Sequence, residues 1–159
     1  MTALQQTLWR PPGHSVGRLW RALALSLLAW AALLSPMAQA EVSAEDRQSV
    51  RAVVQGQLNA FAADDAAGAF SFAAPNIRDM FGSAENFMAM VQQAYPVVYR
   101  PAALVFLMPQ EVEAGLLQAV QMQDRSGKSW LAVYTLQRQP AAGWLISSCV
   151  LVAVRSVGA

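Results

Sequence analysis

At Pro101 the hydrophobic pattern of this chain changes its period, and the two parts ask for different architectures. Before it, Val50, Val53, Val54, Gln57, Leu58 and Phe61 recur three and four residues apart, one stripe of an amphipathic helix over about 45–63. After it the period is two, and four runs read as strands: 103–108, 116–123, 129–139 and 143–154. Turn chemistry at 124–127 (Asp-Arg-Ser-Gly) and 140–143 (Pro-Ala-Ala-Gly) joins the later runs by tight hairpins. Helices grouped before strands, with short strand connections, predict an α+β domain: N-terminal helices packed on a curved four-strand antiparallel sheet.

The helical part divides further at its caps. Ser43, followed by Glu45 and Asp46, starts the first helix. Asp64 or Asp65 caps a second over 66–74 that buries Phe70 and Ala73 and stops before Pro75. A turn of helix over 77–81 is closed by Gly82. Ser83 caps a fourth helix, which ends at Pro96 and buries Phe87, Met90 and Val91.

The strands carry a second constraint. The last run alternates Trp144, Ile146, Ser148, Val150 and Val152 with Leu145, Ser147, Cys149, Leu151 and Ala153, so both rows are mostly apolar. The first run does the same, Leu104, Phe106 and Met108 against Val105 and Leu107. An antiparallel sheet with one wet face shows polar alternation instead. Helices cover one face, and a second copy of the chain is the simplest cover for the other; a homodimer is expected.

The first 40 residues belong to a different pattern. A basic stretch ends at Arg21, an apolar core runs over 22–34, and Pro36 precedes the small-x-small triplet Ala38-Gln39-Ala40. These parts predict a secretory signal over 1–40, cleaved between Ala40 and Glu41, leaving one domain over 41–159. The rival reading is an uncleaved anchor; a 13-residue core at about 1.5 Å rise spans roughly 20 Å, short of a ~30 Å hydrocarbon layer. The expected address is the periplasm or the exterior of a bacterial cell, with no membrane association after cleavage. Of the eleven cationic side chains, Arg10, Arg18 and Arg21 lie in this leader with none of the ten acids, so the remainder carries a net charge of −2. Such a domain has no broad attraction for nucleic acid.

Reactive side chains are scarce. The sole histidine, His14, lies in the leader, and the rest of the chain holds one thiol, Cys149. A zinc site and a thiol nucleophile both lack the imidazole they need, so no metal and no cofactor is expected, and Cys149 reads as a small buried thiol. Gly127-Lys128-Ser129 ends like a phosphate loop, but that pattern needs a glycine where Met122 stands.

Several runs resemble an exported bacterial family known by number, domain-of-unknown-function family 4864. They are 62–70 (AADDAAGAF), 72–78 (FAAPNIR), Phe87-Met-Ala-Met90, 95–101 (YPVVYRP), 130–134 (WLAVY) and Arg138-Gln-Pro140 with Trp144 and Cys149-Val-Leu151, over about 46–152. The resemblance, with helices preceding a curved sheet, implies a nuclear transport factor 2-like (cystatin-like) cone. A cone of that kind encloses an apolar pocket, for which Phe61, Phe70, Phe87, Met90, Tyr95, Tyr99, Phe106, Trp130 and Tyr134 are candidate walls and Ser148 a polar handle. The same aromatics at helical and strand spacing equally fill a core. The expected function is non-enzymatic: binding of a small apolar ligand, or self-association. The alternative is an isomerase or dehydratase using a carboxylate desolvated in the pocket, with Asp79, Glu111 and Glu113 as candidates. Arg100 would meet either an anionic ligand or an acid of the chain itself.

Overall fold

The computed structural model describes residues 41–154; the leader and Ala40 of the expected cleavage bond lie outside the described residues. Among the described residues five helices come first: α1 (Ala44–Ala62), α2 (Ala66–Ser71), α3 (Pro75–Phe81), α4 (Ala84–Ala94) and α5 (Pro96–Tyr99). Five strands follow: β1 (Ala103–Phe106), β2 (Gln110–Val112), β3 (Gly115–Gln123), β4 (Ser129–Gln139) and β5 (Gly143–Ala153). All pair antiparallel in the order β1-β3-β4-β5, with β2 lying beside β1 along the same edge of β3. The fold is therefore α+β with an open sheet.

Local chemistry sets the helix ends. The Ser43 hydroxyl accepts from Asp46 N at 3.0 Å, and Glu45 and Asp46 put negative charge on the first turn of α1. Asp65, not Asp64, caps α2 by accepting from Gly68 N at 2.9 Å. Asp64 takes a positive φ of 58°, which turns the chain between the two helices. The Ser83 hydroxyl accepts from Asn86 N at 3.2 Å and starts α4.

Four expectations need correction. The helix expected over 66–74 ends at Ser71, because Phe72 to Ala74 is recruited by the sheet. Phe72 O accepts from Ile146 N at 2.9 Å and Ala74 N donates to Ile146 O at 2.8 Å, so this segment lies beside the start of β5. Pro96 does more than stop α4: it is the first residue of α5, where its missing N–H costs nothing, and Val97 and Val98 are driven into the core. Met88, not Met90, joins Phe87 and Val91 in burial. The sheet has five strands rather than four, since the first run stops at Phe106 and re-forms as β2 after Pro109. The buried Gln118 side chain bridges that break, its amide donating to Leu107 O at 2.7 Å and Ala119 O at 2.9 Å.

Register fixes the two faces. Met122 is opposite Trp130, Val120 opposite Ala132, Leu116 opposite Leu136 and Tyr134 opposite Cys149, all on the face toward the helices. Val120, Ala132, Tyr134 and Leu136 are fully buried there against Val50, Val54 and Phe61 of α1. Helix α1 crosses close because position 56 is glycine, where a Cβ would stand 2.5 Å from the Phe72 ring. Asp46 accepts from Trp144 Nε1 at 2.9 Å and pairs with Arg138, fastening the start of α1 to β4 and β5. On the opposite face no helix of the described residues packs, and Val105 (59%), Val150 (57%) and Val152 (48%) are exposed.

The β3–β4 turn is built on Asp124. One carboxylate oxygen accepts from Ser126 N, Ser126 Oγ and Lys128 N at 2.9, 2.6 and 3.0 Å, and the other from Trp130 Nε1 at 2.9 Å. The Ser126 hydroxyl, then the Trp130 indole, hold its pKa at about 2, below the ordinary 3.8. A depressed carboxyl stabilises the fold fully above its unfolded value and loses that contribution as pH falls toward the folded one. Asp124→Asn is therefore expected to be less stable than the parent at pH 7, with the gap closing between about pH 4 and pH 2. Urea unfolding across that range measures it.

Candidate functional site

The helix-facing side of the sheet is not filled throughout. A cavity of about 290 Å3 lies where α1, α3 and α4 meet β4 and β5. Phe61, Phe87, Met90 and Tyr95 form much of its apolar wall, with Ile77, Met80 and Phe81 from α3 and its end. The aromatic part is a cluster around Phe87, whose ring centroid lies 5.9 Å from Phe61 and 5.5 Å from each of Phe70 and Phe81. Such tilted contacts hold the wall in shape.

Its polar groups are few and uncharged. Gln57, Asn76, Ser147, Ser148, Cys149 and the phenols of Tyr95 and Tyr134 line it, and among the described residues no carboxylate or cationic side chain does. Three of them are tied down by the fold: the Gln57 amide donates to Ala69 O at 3.2 Å, the Asn76 amide to Ser147 O at 2.9 Å, and the Ser147 hydroxyl to Thr135 O at 3.1 Å. Tyr134 differs. Its side chain rises from the middle of β4 toward the helices, it is fully buried, and its hydroxyl meets no oxygen or nitrogen partner among the described residues; its polar neighbour is the Cys149 thiol, a weak partner. Burial, with the Cys149 thiol beside it, pushes its pKa well above the ordinary tyrosine value, so it stays a neutral phenol. A buried hydroxyl without a partner costs about 1–3 kcal/mol. Cys149 stands directly across the strand pair from Tyr134, and burial pushes its thiol up to about 12.

The sequence candidates divide between two places. Phe61, Phe87, Tyr95, Tyr134, Ser148 and the additional candidate Met90 meet around the cavity. Phe70 stands behind it, stacked on Phe87. Tyr99 and Trp130 line a separate, open cleft of about 1060 Å3 between α4–α5, the β3–β4 turn and the end of β5, which Tyr95 also borders. Phe106 packs on the core under the Arg51 guanidinium, 4.8 Å from its ring centre. Arg100 pairs with Asp64 at 2.7 Å, the internal partner rather than a ligand, and Tyr99 donates to the same carboxylate. Asp79, Glu111 and Glu113 are exposed and outside the cavity lining.

Gln57, Asn76, Ser147 and Cys149 are lining residues that sequence reasoning did not assign. Gln57 left a signal, being a polar side chain inside an otherwise apolar helical stripe. Asn76 left none, since its partner lies 71 residues away. Among the described residues no three His, Cys, Asp or Glu side chains come together as a metal site, and no helix is long and apolar enough to cross a membrane.

Residues 43–159 match the model of a family described as Domain of unknown function (DUF4864). No curated protein matches the chain.

Burial pushes the Cys149 thiol up to about 12, although the residue as a whole is only half-buried, so almost none of it is thiolate at pH 8. A disulfide reagent is expected to label the native chain at least 100-fold more slowly than the unfolded chain, where the ordinary value near 8.5 returns. Equal rates in buffer and in denaturant would contradict this burial.

Proposed function

The chain belongs to domain-of-unknown-function family 4864 (DUF4864), and we propose that it is a non-enzymatic binding module holding one small, mostly apolar molecule against Tyr134. The observation that carries this reading is the unpartnered Tyr134 hydroxyl beside a cavity walled by aromatic side chains. That hydroxyl is closed off from the cavity as the chain stands, so a ligand with one polar atom recovers the cost of the orphan group by displacing a neighbouring side chain, while its apolar body displaces water from the phenylalanine wall. At about 290 Å3 the cavity has roughly twice the volume of an engineered core cavity that admits one benzene ring, so a one- or two-ring molecule is the right scale. The reading favours binding over the carboxylate-dependent isomerase or dehydratase because that chemistry needs a carboxylate at the site, and among the described residues none lines it.

We read the architecture as the nuclear transport factor 2-like type, with helices preceding a meander that is hollow on its helix side. The leader pattern supports export, to the periplasm or exterior of a bacterial cell, as a single domain from Glu41 onward. A second reading, self-association, rests on the exposed apolar face opposite the helices, where Val105, Val150 and Val152 stand uncovered by the chain. A homodimer through that face is its simplest form. Sedimentation at micromolar concentration is expected to give twice the mass of one chain, falling to one for Val105→Glu; a single-chain mass for the parent would end the dimer reading.

The ligand test combines extraction with one substitution. Mass spectrometry of extracts from protein purified out of its native compartment names candidates, and thermal shift ranks them. At about 100 times Kd a ligand adds ~2.7 kcal/mol, a rise of roughly 10 °C for a domain this size. Tyr134→Phe is expected to melt at or above the parent temperature without ligand, because it removes an unsatisfied buried hydroxyl. The same variant should bind at least about tenfold more weakly. A ligand shift unchanged in Tyr134→Phe, or no shift with any extracted or apolar compound, would overturn the reading.

A further inference from the structure

The last strand of the sheet has an outer edge that is covered for only part of its length. Val154 N donates to Ser129 O at 3.0 Å, so by the alternation of an antiparallel ladder Val152, Val150 and Ser148 exchange bonds with Leu131, Val133 and Thr135. The main-chain N–H and C=O groups of Cys149, Leu151 and Ala153 therefore point away from β4. Phe72 and Ala74 satisfy the main chain of Ile146, and among the described residues no backbone group pairs with the outer edge beyond it. Sheets protect such edges with proline, lysine, bulges or inward charges. The stretch from Cys149 to Ala153 has none of these; it reads Cys-Val-Leu-Val-Ala, and the one bulge in β5 lies earlier, opposite Thr135 and Leu136.

The open cleft lies against the same stretch. Its lining includes Leu151 from β5, Trp130 from β4, Tyr99 and Arg100 from the end of α5, and Arg125 from the β3–β4 turn. Leu151 faces the helix side, so a residue paired directly across from it on an added strand sends its side chain to that side, over Trp130 and Tyr99. The cleft thus offers room for side chains where the edge offers main-chain bonds. Its free charge is positive. Asp124 is occupied by its four donors and Asp64 by Arg100, whereas Arg125 joins no ion pair among the described residues. The Lys128 ammonium stands 4.0 Å above the centre of the Trp130 ring.

We propose that the free edge of β5 at Cys149, Leu151 and Ala153 takes an extended peptide as an added strand, with a bulky apolar side chain in the cleft at Trp130 and an acidic neighbour at Arg125. Main-chain bonds supply the attachment and the cleft supplies the selection, as in other edge-strand recognition. This docking is independent of the cavity at Tyr134, which keeps its own test.

The probe is a fluorescein-labelled synthetic peptide, Ser-Glu-Val-Trp-Val-Glu-Ser, titrated with the purified chain by anisotropy. Saturable binding is expected, and N-methylation of the alternate amides that face β5 should weaken it by about tenfold or more, while methylation of the other set leaves it unchanged. Replacing both glutamates by lysine should weaken binding by about fivefold, and Arg125→Glu should reverse that preference. Ala153→Pro removes one outward N–H without touching a β4 bond and should weaken binding while keeping the parent melting temperature. Should that variant fail to fold, the methylated peptides decide the matter on the unaltered protein. No binding at about 1 mM, or an affinity indifferent to which amides are methylated, overturns the proposal. So does a doubled sedimentation mass that Ala153→Pro returns to one chain, since the edge would then belong to a second copy.

Discussion

Ile146 joins the two halves of the domain through its main chain. Its N–H donates to Phe72 O and its C=O accepts from Ala74 N, while its side chain is buried in the shared core. These two bonds stop α2, because the residues that would continue it are held in extended form beside β5. They also set where α3 begins, since Ala74 is the residue just before Pro75. Asn76 then reaches Ser147 O and Arg78 ties back to Ser71 O and Ala73 O, so α3 is anchored over the start of β5. The cavity exists because α3 is held there; its wall residues Ile77, Met80 and Phe81 all depend on that placement.

Electrostatics follow the same division between periphery and interior. Asp46, Asp64 and Asp124 each bind groups that are distant in sequence or at the far side of a turn, and each sits at a corner of the domain. The pKa of Asp46 is held below its ordinary value, first by the Trp144 indole and against some desolvation. The cavity between helices and sheet is left to neutral groups: two phenols, a thiol, two amides and two serines. That separation explains why the cavity suits recognition of shape and one hydrogen bond rather than of charge.

Much of this was legible in the sequence because a cap or a strand face is a short-range pattern. Ser43 and Ser83 announce helices by accepting from an N–H three residues on, and the period-two runs gave the meander. The ambiguity between Asp64 and Asp65 was real, and it resolves only through the positive φ of Asp64. The misses share one cause, which is that a distant partner decided them. Phe72 to Ala74 reads as helix until β5 claims it; Pro96 reads as a stop until Val97 and Val98 find the core; Pro109 hides β2 until β3 pairs with it. The site divides in the same way. The aromatic walls could be named from spacing, but nothing local separates Tyr95, which borders both cavity and cleft, from Tyr99, which borders only the cleft.

The broken first strand has an effect on how many neighbours a molecule can accept. On the β1–β2 side the ladder is interrupted at Leu107 to Pro109, and neither strand exceeds four residues. That border is a poor template, whereas the far border presents an unbroken stretch. A sheet that can be extended from only one end has a valency of one in that direction. It can terminate a partner's strand, but it cannot propagate a stack, and repeated edge-to-edge growth into fibres stops at the first addition.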